Sequence, residues 1–287
     1  MGFNSWNILW ELCFGLLALL IVLGNSIAIW IFVKHKFRKR AHVLLISLAV
    51  ADLLVGVLSV PLYIVANLDT SALSRVYASI YVDIFTGLTS ILTLAVISLE
   101  RMYAVAWPFR HRTLPLCAYK FAIVTPWILA ATVASIRVLF DNGLIPPTDF
   151  QVVISLSPVA PTLVICSAYC VIWWKGKKRM DDQNQLMQRE TKLAKTLFLI
   201  TGASLLTWLP FQIVNMWPYL VVRIHPFGIL FVIKLLQFSN SLVNVIIYPF
   251  RISEFKGALQ RMLPGFVAAF SHTINRRNSE DVNETVI

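Results

Sequence analysis

Several charged residues stand inside or at the ends of long apolar runs, where a lipid-embedded helix normally carries none. Among them are Asp52, Asp83, the adjacent Glu100 and Arg101, and Lys234. A charge in hydrocarbon must face other protein groups or a cavity, so such residues bind ions or ligands or pair with one another. For Arg101 the plain alternative is a side chain that reaches the lipid headgroups from a helix end. The pattern indicates ionic recognition and switching.

Asp52 lies mid-run in LISLAVADLLVGVLSVP, with no other charged residue close by in the sequence. Other runs offer polar side chains as its partners: Asn25, Ser90, Asn240, Ser241 and Asn244. Oxygens grouped around a carboxylate suit a hard cation, so we expect Asp52, Ser90, Asn240, Ser241 and Asn244 to accept sodium. The alternative is a hydrogen-bond network that joins the helices without an ion.

Eighteen residues separate Asp83 from Arg101, which is five helical turns and about 27 Å along one helix face. Glu190 and Trp208 repeat this spacing in a later run that also contains Pro210. A proline removes a backbone donor and can loosen a helix, although a static kink is the commoner outcome. The spacing predicts a helix bundle that joins a pocket near Asp83 to a switch near Arg101.

Membrane helices must position these residues, because the chain is 58% hydrophobic and only 14% charged over 287 residues. About 20 apolar residues cross a bilayer, and seven spans qualify: about 8–33, 41–66, 77–105, 118–139, 152–174, 193–220 and 226–249. We therefore predict an all-α membrane protein with seven transmembrane helices. Its single domain covers residues 1–264, and residues 265–287 form a tail that we expect to be disordered.

Basic residues predict the orientation, since Lys and Arg near span ends stay on the cytoplasmic side. Of the 25, all but Arg75, Arg137, Arg223 and Lys234 fall in the first connection, in the regions around the third and fifth connections, or in the tail. The N-terminus is then extracellular and the C-terminus cytoplasmic, in a multi-pass protein of the plasma membrane. Contact with anionic lipid accounts for the net charge of +11, and we expect no nucleic-acid partner.

Two short features follow the seventh span. Residues 252–263 place Ile252, Phe255, Leu259 and Leu263 on one face, which predicts an amphipathic helix on the inner membrane surface. The chain ends in Glu284-Thr285-Val286-Ile287, a form that PDZ domains bind as an added strand through Thr285 and the carboxylate of Ile287. A solvated tail without a partner is the alternative.

Short motifs occur in order along the seven spans. They are Gly24-Asn25, Leu48-Ala49-Val50-Ala51-Asp52, Glu100-Arg101-Met102, Trp127, Pro161 with Tyr169, Thr207-Trp208-Leu209-Pro210 and Asn244-Val245-Ile246-Ile247-Tyr248. Together they resemble the rhodopsin-like (class A) G-protein-coupled receptor family over almost the whole chain. Each motif is weak alone, whereas the ordered set is specific.

The resemblance implies a receptor that activates heterotrimeric G proteins and can bind arrestin, with no enzyme activity and no required cofactor beyond an allosteric sodium ion. The residues assigned to the activation switch are Glu100, Arg101, Tyr169, Glu190, Pro210 and Tyr248. Arg101 would pair with Glu100 and Glu190 at rest and engage the G protein when the sixth helix moves outward. Both tyrosines would then swing beneath it, and Phe109 would insert into the G protein.

Four positions depart from the family pattern. Val76 stands where the third helix usually begins with cysteine, so the family's outer disulfide is absent and we expect no disulfide. Met102, Ser204 and Val245 replace the usual tyrosine, phenylalanine and proline near the switch. These replacements bear on basal activity and on the efficiency of coupling.

The ligand-binding residues that we expect are Asp83, Ser157, Trp208, Phe211, Lys234 and Phe238. Asp83 occupies the position at which amine receptors hold an ammonium group, and aromatic rings would add cation–π contacts. The favoured ligand is thus a cationic amine. In the alternative, Lys234 neutralises Asp83, and the ligand is neutral, acidic or peptidic.

Three other classes of protein fit less well. Lys234 is an intramembrane lysine like that of an opsin, but it lies farther from the Asn244 motif than the retinal lysine does. A transporter or channel could use Asp52, Asp83 and Lys234 as an ion path, but no internal repeat is present. The sequence contains no nucleophile–base pair, phosphate loop or metal cluster of the kind that an enzyme needs.

Overall fold

The protein is a bundle of long helices. The computed structural model describes residues 5–34, 40–68, 71–178, 202, 206–215, 228–251 and 253–262. The first five spans are the helices Ser5–Lys34, Arg40–Leu54 continuing to Val60–Leu68, Leu73–Ala106, Leu116–Asp141 and Pro147–Lys178. Residues 206–215 of the sixth span are helical, and the seventh span is Gly228–Arg251.

Six helices of the described part are long and apolar enough to cross a membrane. The first five extend a few residues beyond both ends of their predicted spans, and the seventh extends beyond the C-terminal end of its span. Helical hydrogen bonding continues past the hydrocarbon into the polar interface. The remainder of the predicted sixth span lies outside the described residues. The prediction of an all-helical membrane bundle is confirmed.

The third span lies at the centre and packs against the second, fourth and fifth spans. Its polar side chains suit this buried position, because their hydroxyl groups bond within the same helix. Thr89, Thr93 and Ser98 each donate to the carbonyl oxygen four residues earlier, at 2.6, 2.7 and 2.8 Å. Hydroxyl groups satisfied in this way can lie in an apolar core at little cost.

The second span contains a π-helical turn, Val55–Ser59, which the sequence analysis did not predict. One extra residue per turn rotates the helix beyond it. Ser59 thereby faces the third span, where its hydroxyl group lies 2.7 Å from that of Thr86. This turn begins three residues after Asp52, so it sets which faces of the second span meet its neighbours.

Two short helices lie at the Arg101 end of the bundle. Pro108–Arg112 follows the third span, and Ser253–Met262 follows the seventh. In the second of these, Phe255 and Ala258 are buried whereas Lys256 and Arg261 are exposed. The predicted amphipathic helix is therefore present; Ile252 and Leu263 lie outside the described residues, as does the tail with Thr285 and Ile287.

Candidate functional site

Asp83 and Lys234 form an ion pair at one end of the bundle. The Lys234 ammonium lies 2.5 Å from Asp83 Oδ2, and the two side chains are 12% and 14% exposed. Gln237 Nε2 donates to the same carboxylate, at 3.2 Å from Oδ1 and 3.4 Å from Oδ2. The charge of Asp83 is therefore matched within the protein, which was the alternative arrangement and not the favoured one.

Aromatic rings surround the ammonium group of Lys234. Its nitrogen lies 4.5 Å from the ring centre of Phe211, 4.9 Å from that of Phe238 and 5.5 Å from that of Tyr63. Phe238 is only 1% exposed, so two of the predicted aromatic residues, Phe211 and Phe238, contact the protein's own cation in this arrangement. Tyr63 was not predicted, because nothing in the second span signals a distant lysine.

Trp208 lies one layer deeper, toward Arg101. It is 8% exposed, and its ring meets that of Phe211 at 90° with 6.1 Å between centres. A Cβ atom at Gly87 would lie 3.1 Å from the Trp208 ring and 3.9 Å from Gln237 Nε2. Any larger residue at this point would therefore require the tryptophan ring to shift by a few tenths of an ångström. The Ser157 hydroxyl group donates to the carbonyl oxygen of Ile154 at 3.2 Å.

Polar groups between the fifth and sixth spans were missed by sequence reasoning. Gln212 Nε2 donates to the carbonyl oxygen of Ser155 at 3.3 Å. Gln151 Nε2 lies 3.2 Å from Ser155 Oγ and 3.4 Å from the carbonyl oxygen of Asn215. Helical periodicity would have placed Gln212 beside Phe211 and Trp208, but an uncharged amide in an apolar run gives a weaker signal than a charge.

Asp52 is fully buried at the middle of the bundle. Ser90 Oγ donates to its Oδ1 at 2.8 Å, and Asn244 Nδ2 donates to its Oδ2 at 2.7 Å. Asn240 and Ser241 are also buried, and Asn25 Nδ2 donates to the carbonyl oxygen of Ser241 at 3.1 Å. The first, second, third and seventh spans therefore meet around one carboxylate, as the sequence analysis expected.

This cluster also contains acceptor oxygens that have no hydrogen-bond partner among the described residues. They are the side-chain oxygens of Asn25, Asn240 and Asn244. In each of Asn25 and Asn244, the amide nitrogen has an acceptor, so the oxygen is left over. A carboxylate with surplus neutral oxygens is a donor set that fits a monovalent cation.

Glu100 and Arg101 form a bidentate pair at the other end of the bundle. Arg101 donates through Nε to Oε2 at 2.5 Å and through Nη2 to Oε1 at 2.7 Å. Their side chains are 7% and 8% exposed, so neither reaches into solvent or headgroups. The pair was expected. The alternative, in which the Arg101 side chain reaches the lipid headgroups, does not describe this arrangement.

Two further residues hold the Glu100 carboxylate. His111 Nε2 lies 2.7 Å from Oε1, and the Tyr119 hydroxyl group donates to the same oxygen at 3.3 Å. The hydroxyl group also lies 3.1 Å from His111 Nε2. Neither residue was predicted, since the short helix Pro108–Arg112 and the fourth span meet the third only in the folded bundle.

The other predicted switch residues are not all gathered at Arg101. Tyr169 OH lies 3.5 Å from Ser98 Oγ, one turn before Arg101. Tyr248 is fully buried against Phe32 and Phe255, with ring centres 5.6 and 5.7 Å apart. Pro210 lies within helical residues 206–215, and Glu190 lies outside the described residues. Phe109 is 83% exposed beside this end of the bundle.

The four cysteines are free thiols: Cys13, Cys117, Cys166 and Cys170. Within the part of the chain that the structure describes, no group of three or more His, Cys, Asp and Glu side chains could hold a metal ion. The arrangement is two ionic clusters at opposite ends of a central helix and a carboxylate cluster between them.

Comparisons with known proteins agree with this arrangement. Residues 24–248 match the family described as 7 transmembrane receptor (rhodopsin family). The chain is 24% identical to the adenosine receptor A2a of Homo sapiens, over 88% of this chain and 71% of the relative. It is 28% identical to the adenosine receptor A3 of Ovis aries, over 84% of this chain and 85% of the relative.

Proposed function

Because the chain belongs to the rhodopsin family of seven-transmembrane receptors, we propose that it binds a small uncharged ligand at the Asp83 end and activates a heterotrimeric G protein at the Arg101 end. Receptor activity, and not enzyme activity, is the common property of the family and of the similar proteins.

The ion pair between Asp83 and Lys234 carries the proposal of an uncharged ligand. A cationic amine would have to displace Lys234 from a carboxylate that is mostly shielded from water, and would leave the ammonium unpaired among aromatic rings. Removing one partner of a buried pair is strongly unfavourable. An uncharged ligand leaves the pair intact, and the similar proteins are named for adenosine, an uncharged nucleoside.

Nucleotide exchange tests this function directly. The full chain in lipid nanodiscs is mixed with a purified heterotrimeric G protein, and uptake of a non-hydrolysable GTP analogue is measured with adenosine or with a panel of monoamines. We expect adenosine to stimulate exchange and the monoamines to be inactive. Arg101→Ala should abolish the stimulation, whereas the control Lys120→Ala, at an exposed position, should retain it.

The amine hypothesis makes the opposite prediction for the same assay. If a monoamine stimulates exchange, and Asp83→Asn abolishes that response, Asp83 is a ligand counter-ion and the uncharged ligand is ruled out. Inactivity of every nucleoside and every amine, together with measurable ion flux, would favour a transporter or channel over a receptor.

We further propose that the Asp52 cluster holds a sodium ion. Asp52 and Ser90 would supply charged and hydroxyl oxygens, and the surplus side-chain oxygens of Asn240 and Asn244 complete a donor set for a hard cation. Thermal unfolding in sodium chloride and in choline chloride tests this proposal at equal ionic strength. Wild type should be stabilised by sodium, and Asp52→Asn should not; an equal response of both would contradict the site.

Coupling and orientation complete the proposal. Outward movement of the sixth helix about Pro210 would free Arg101 and expose a surface for the G protein, with exposed Phe109 beside it. Arrestin would use the same end. An epitope tag on the N-terminus should be accessible to antibody on intact cells, and a tag on the C-terminus only after permeabilisation; the reverse result would invert the orientation.

The tail supports a separate proposal, that Thr285 and Ile287 bind a PDZ domain. Deleting Val286 and Ile287 removes the terminal apolar side chain and shifts the carboxylate. The deletion should abolish capture of the receptor by an immobilised PDZ domain, and Asn283→Ala should not. Capture that survives the deletion would show that the terminal motif is not used.

A further inference from the structure

Gln237 has an amide whose orientation is dictated by its neighbour. Its Nε2 faces the Asp83 carboxylate at 3.2 and 3.4 Å. An ionised carboxylate only accepts hydrogen bonds, so the opposite orientation would place two acceptors against each other. The Gln237 oxygen must therefore point elsewhere. It is buried, and within the described residues it has no hydrogen-bond partner.

Gln212 has the same property for an independent reason. Its Nε2 donates to the backbone carbonyl oxygen of Ser155 at 3.3 Å, and a carbonyl oxygen is also an acceptor only. The amide cannot flip without losing this bond and creating a repulsive contact. Its oxygen is likewise buried and without a partner in the described part of the chain.

Both oxygens belong to the region around Trp208. The Gln237 amide and the Trp208 ring both approach Gly87, at 3.9 and 3.1 Å from an ideal Cβ position. Gln212 lies four residues after Trp208 and hence about one helical turn, roughly 6 Å, farther from Arg101. The two acceptors lie on the sixth and seventh spans. Their heights along the bundle axis differ by about one helical turn, which is about the width of a small heterocycle.

We propose that the ligand donates hydrogen bonds to the side-chain oxygens of Gln212 and Gln237, so that the pocket selects an uncharged molecule with N–H or O–H groups on two edges. This inference rests on the proposed function, since it concerns the ligand of the same pocket. Buried acceptors are normally paired, and these two can be paired only by donors. Lys234 donates to Asp83, and neither glutamine oxygen receives a hydrogen bond from it or from any other described residue.

The donor requirement separates ligands that are otherwise alike. A nucleoside with an exocyclic amino group and sugar hydroxyl groups carries donors on two edges, whereas methylation or ketal formation removes them without adding charge. Loss of one hydrogen bond to a buried acceptor should weaken binding about tenfold, because the acceptor is then left unpaired.

The test measures dissociation constants on the full chain in nanodiscs with three uncharged probes: adenosine, N6,N6-dimethyladenosine and 2′,3′-O-isopropylideneadenosine. The variants are Gln212→Met and Gln237→Met, which keep side-chain length and remove the acceptor together with the amide donor to Ser155 or to Asp83. Gln151→Met is the matched control, since Gln151 lies nearby on the fifth span but its oxygen is not among the unpartnered buried atoms. Thermal unfolding without ligand checks that each variant folds.

We expect each blocked probe to bind wild type and Gln151→Met about tenfold more weakly than adenosine does. The weaker binding of each blocked probe should disappear in one methionine variant and persist in the other. This pattern would show which glutamine accepts the hydrogen bond from each edge of the ligand. If Gln237→Met does not fold, the wild-type comparison and the Gln212→Met arm decide the matter. The proposal would be overturned if the weaker binding persists in both variants, or if all three probes bind wild type equally. In either case water, and not the ligand, donates to the two glutamine oxygens.

Nucleotide exchange on the G protein, measured in parallel, separates the two levels of inference. Glutamine-dependent binding without stimulated exchange would overturn the proposed function and leave the donor requirement standing. Stimulated exchange that is unchanged in both methionine variants would overturn the donor requirement and leave the receptor function standing. If none of the three nucleosides binds, the inference is overturned.

Discussion

Replacing Lys234 with methionine tests the ion pair on which the choice of ligand depends. The substitution keeps most of the apolar length of the side chain and removes the only cation that contacts Asp83 among the described residues. The Asp83 carboxylate then retains the Gln237 N–H group as its polar contact. We expect the folded state to lose stability because a largely buried charge is left without its partner.

The magnitude follows from burial. Removing one partner of a fully buried pair costs about 3 to 5 kcal/mol, and the lower end applies because the side chains are 12% and 14% exposed and one hydrogen bond remains. A loss of about 3 kcal/mol corresponds to a fall of roughly 6 to 12 °C in the melting temperature. The double variant Asp83→Asn with Lys234→Met contains no unpaired charge, so it should recover most of this loss.

The assay is thermal unfolding of the purified wild-type receptor, the two single variants and the double variant, with Lys256→Met as a control at an exposed lysine. The Lys234→Met variant should also bind monoamines that wild type does not bind, because its carboxylate needs a counter-charge. A melting temperature within about 1 °C of wild type, or two single variants whose losses simply add, would refute the pairing and reopen Asp83 as an amine site.

Three further substitutions test other parts of the fold. Gly87→Leu should displace Trp208, because even a Cβ atom would lie 3.1 Å from its ring. We expect altered basal nucleotide exchange and a changed tryptophan fluorescence spectrum. Unchanged values of both would contradict the contact. Glu100→Gln should raise basal exchange several-fold by weakening the bidentate hold on Arg101, whereas Glu11→Gln should not; equal basal rates would show that the pair is no restraint. Gly143→Ala places a side chain at a φ of 73° and should lower stability by about 1 to 2 kcal/mol without changing exchange, and an unchanged melting temperature would mean that the turn relaxes.

The sequence predicted most of the architecture because its signals are local. Apolar runs of membrane length locate helices whatever they pack against, and all the long described helices lie where they were predicted. The eighteen-residue spacing also placed Asp83 and Arg101 on one face of the third span, and both side chains do face the bundle interior. Burial of Asp52 followed from the same reasoning, since a charge in lipid must turn inward.

Local sequence signals did not predict which side chains of different helices contact one another. Lys234 was recognised as a possible partner of Asp83, but 151 residues separate the two, and the sequence favoured an external amine. His111 and Tyr119 were missed at Glu100 because their contact depends on how a short connecting helix folds back. The π turn at Val55–Ser59 was missed since nothing in its composition distinguishes it from an ordinary apolar helix.

The sequence by itself thus determined the class of protein, the number of spans and the buried charges, because hydrophobic length and helical period are properties of single segments. Only the tertiary structure decided which charges neutralise one another and which polar atoms remain unpaired. Those outcomes depend on distances between side chains of different helices. The proposed ligand depends on two of them, the ion pair of Asp83 with Lys234 and the unpaired oxygens of Gln212 and Gln237.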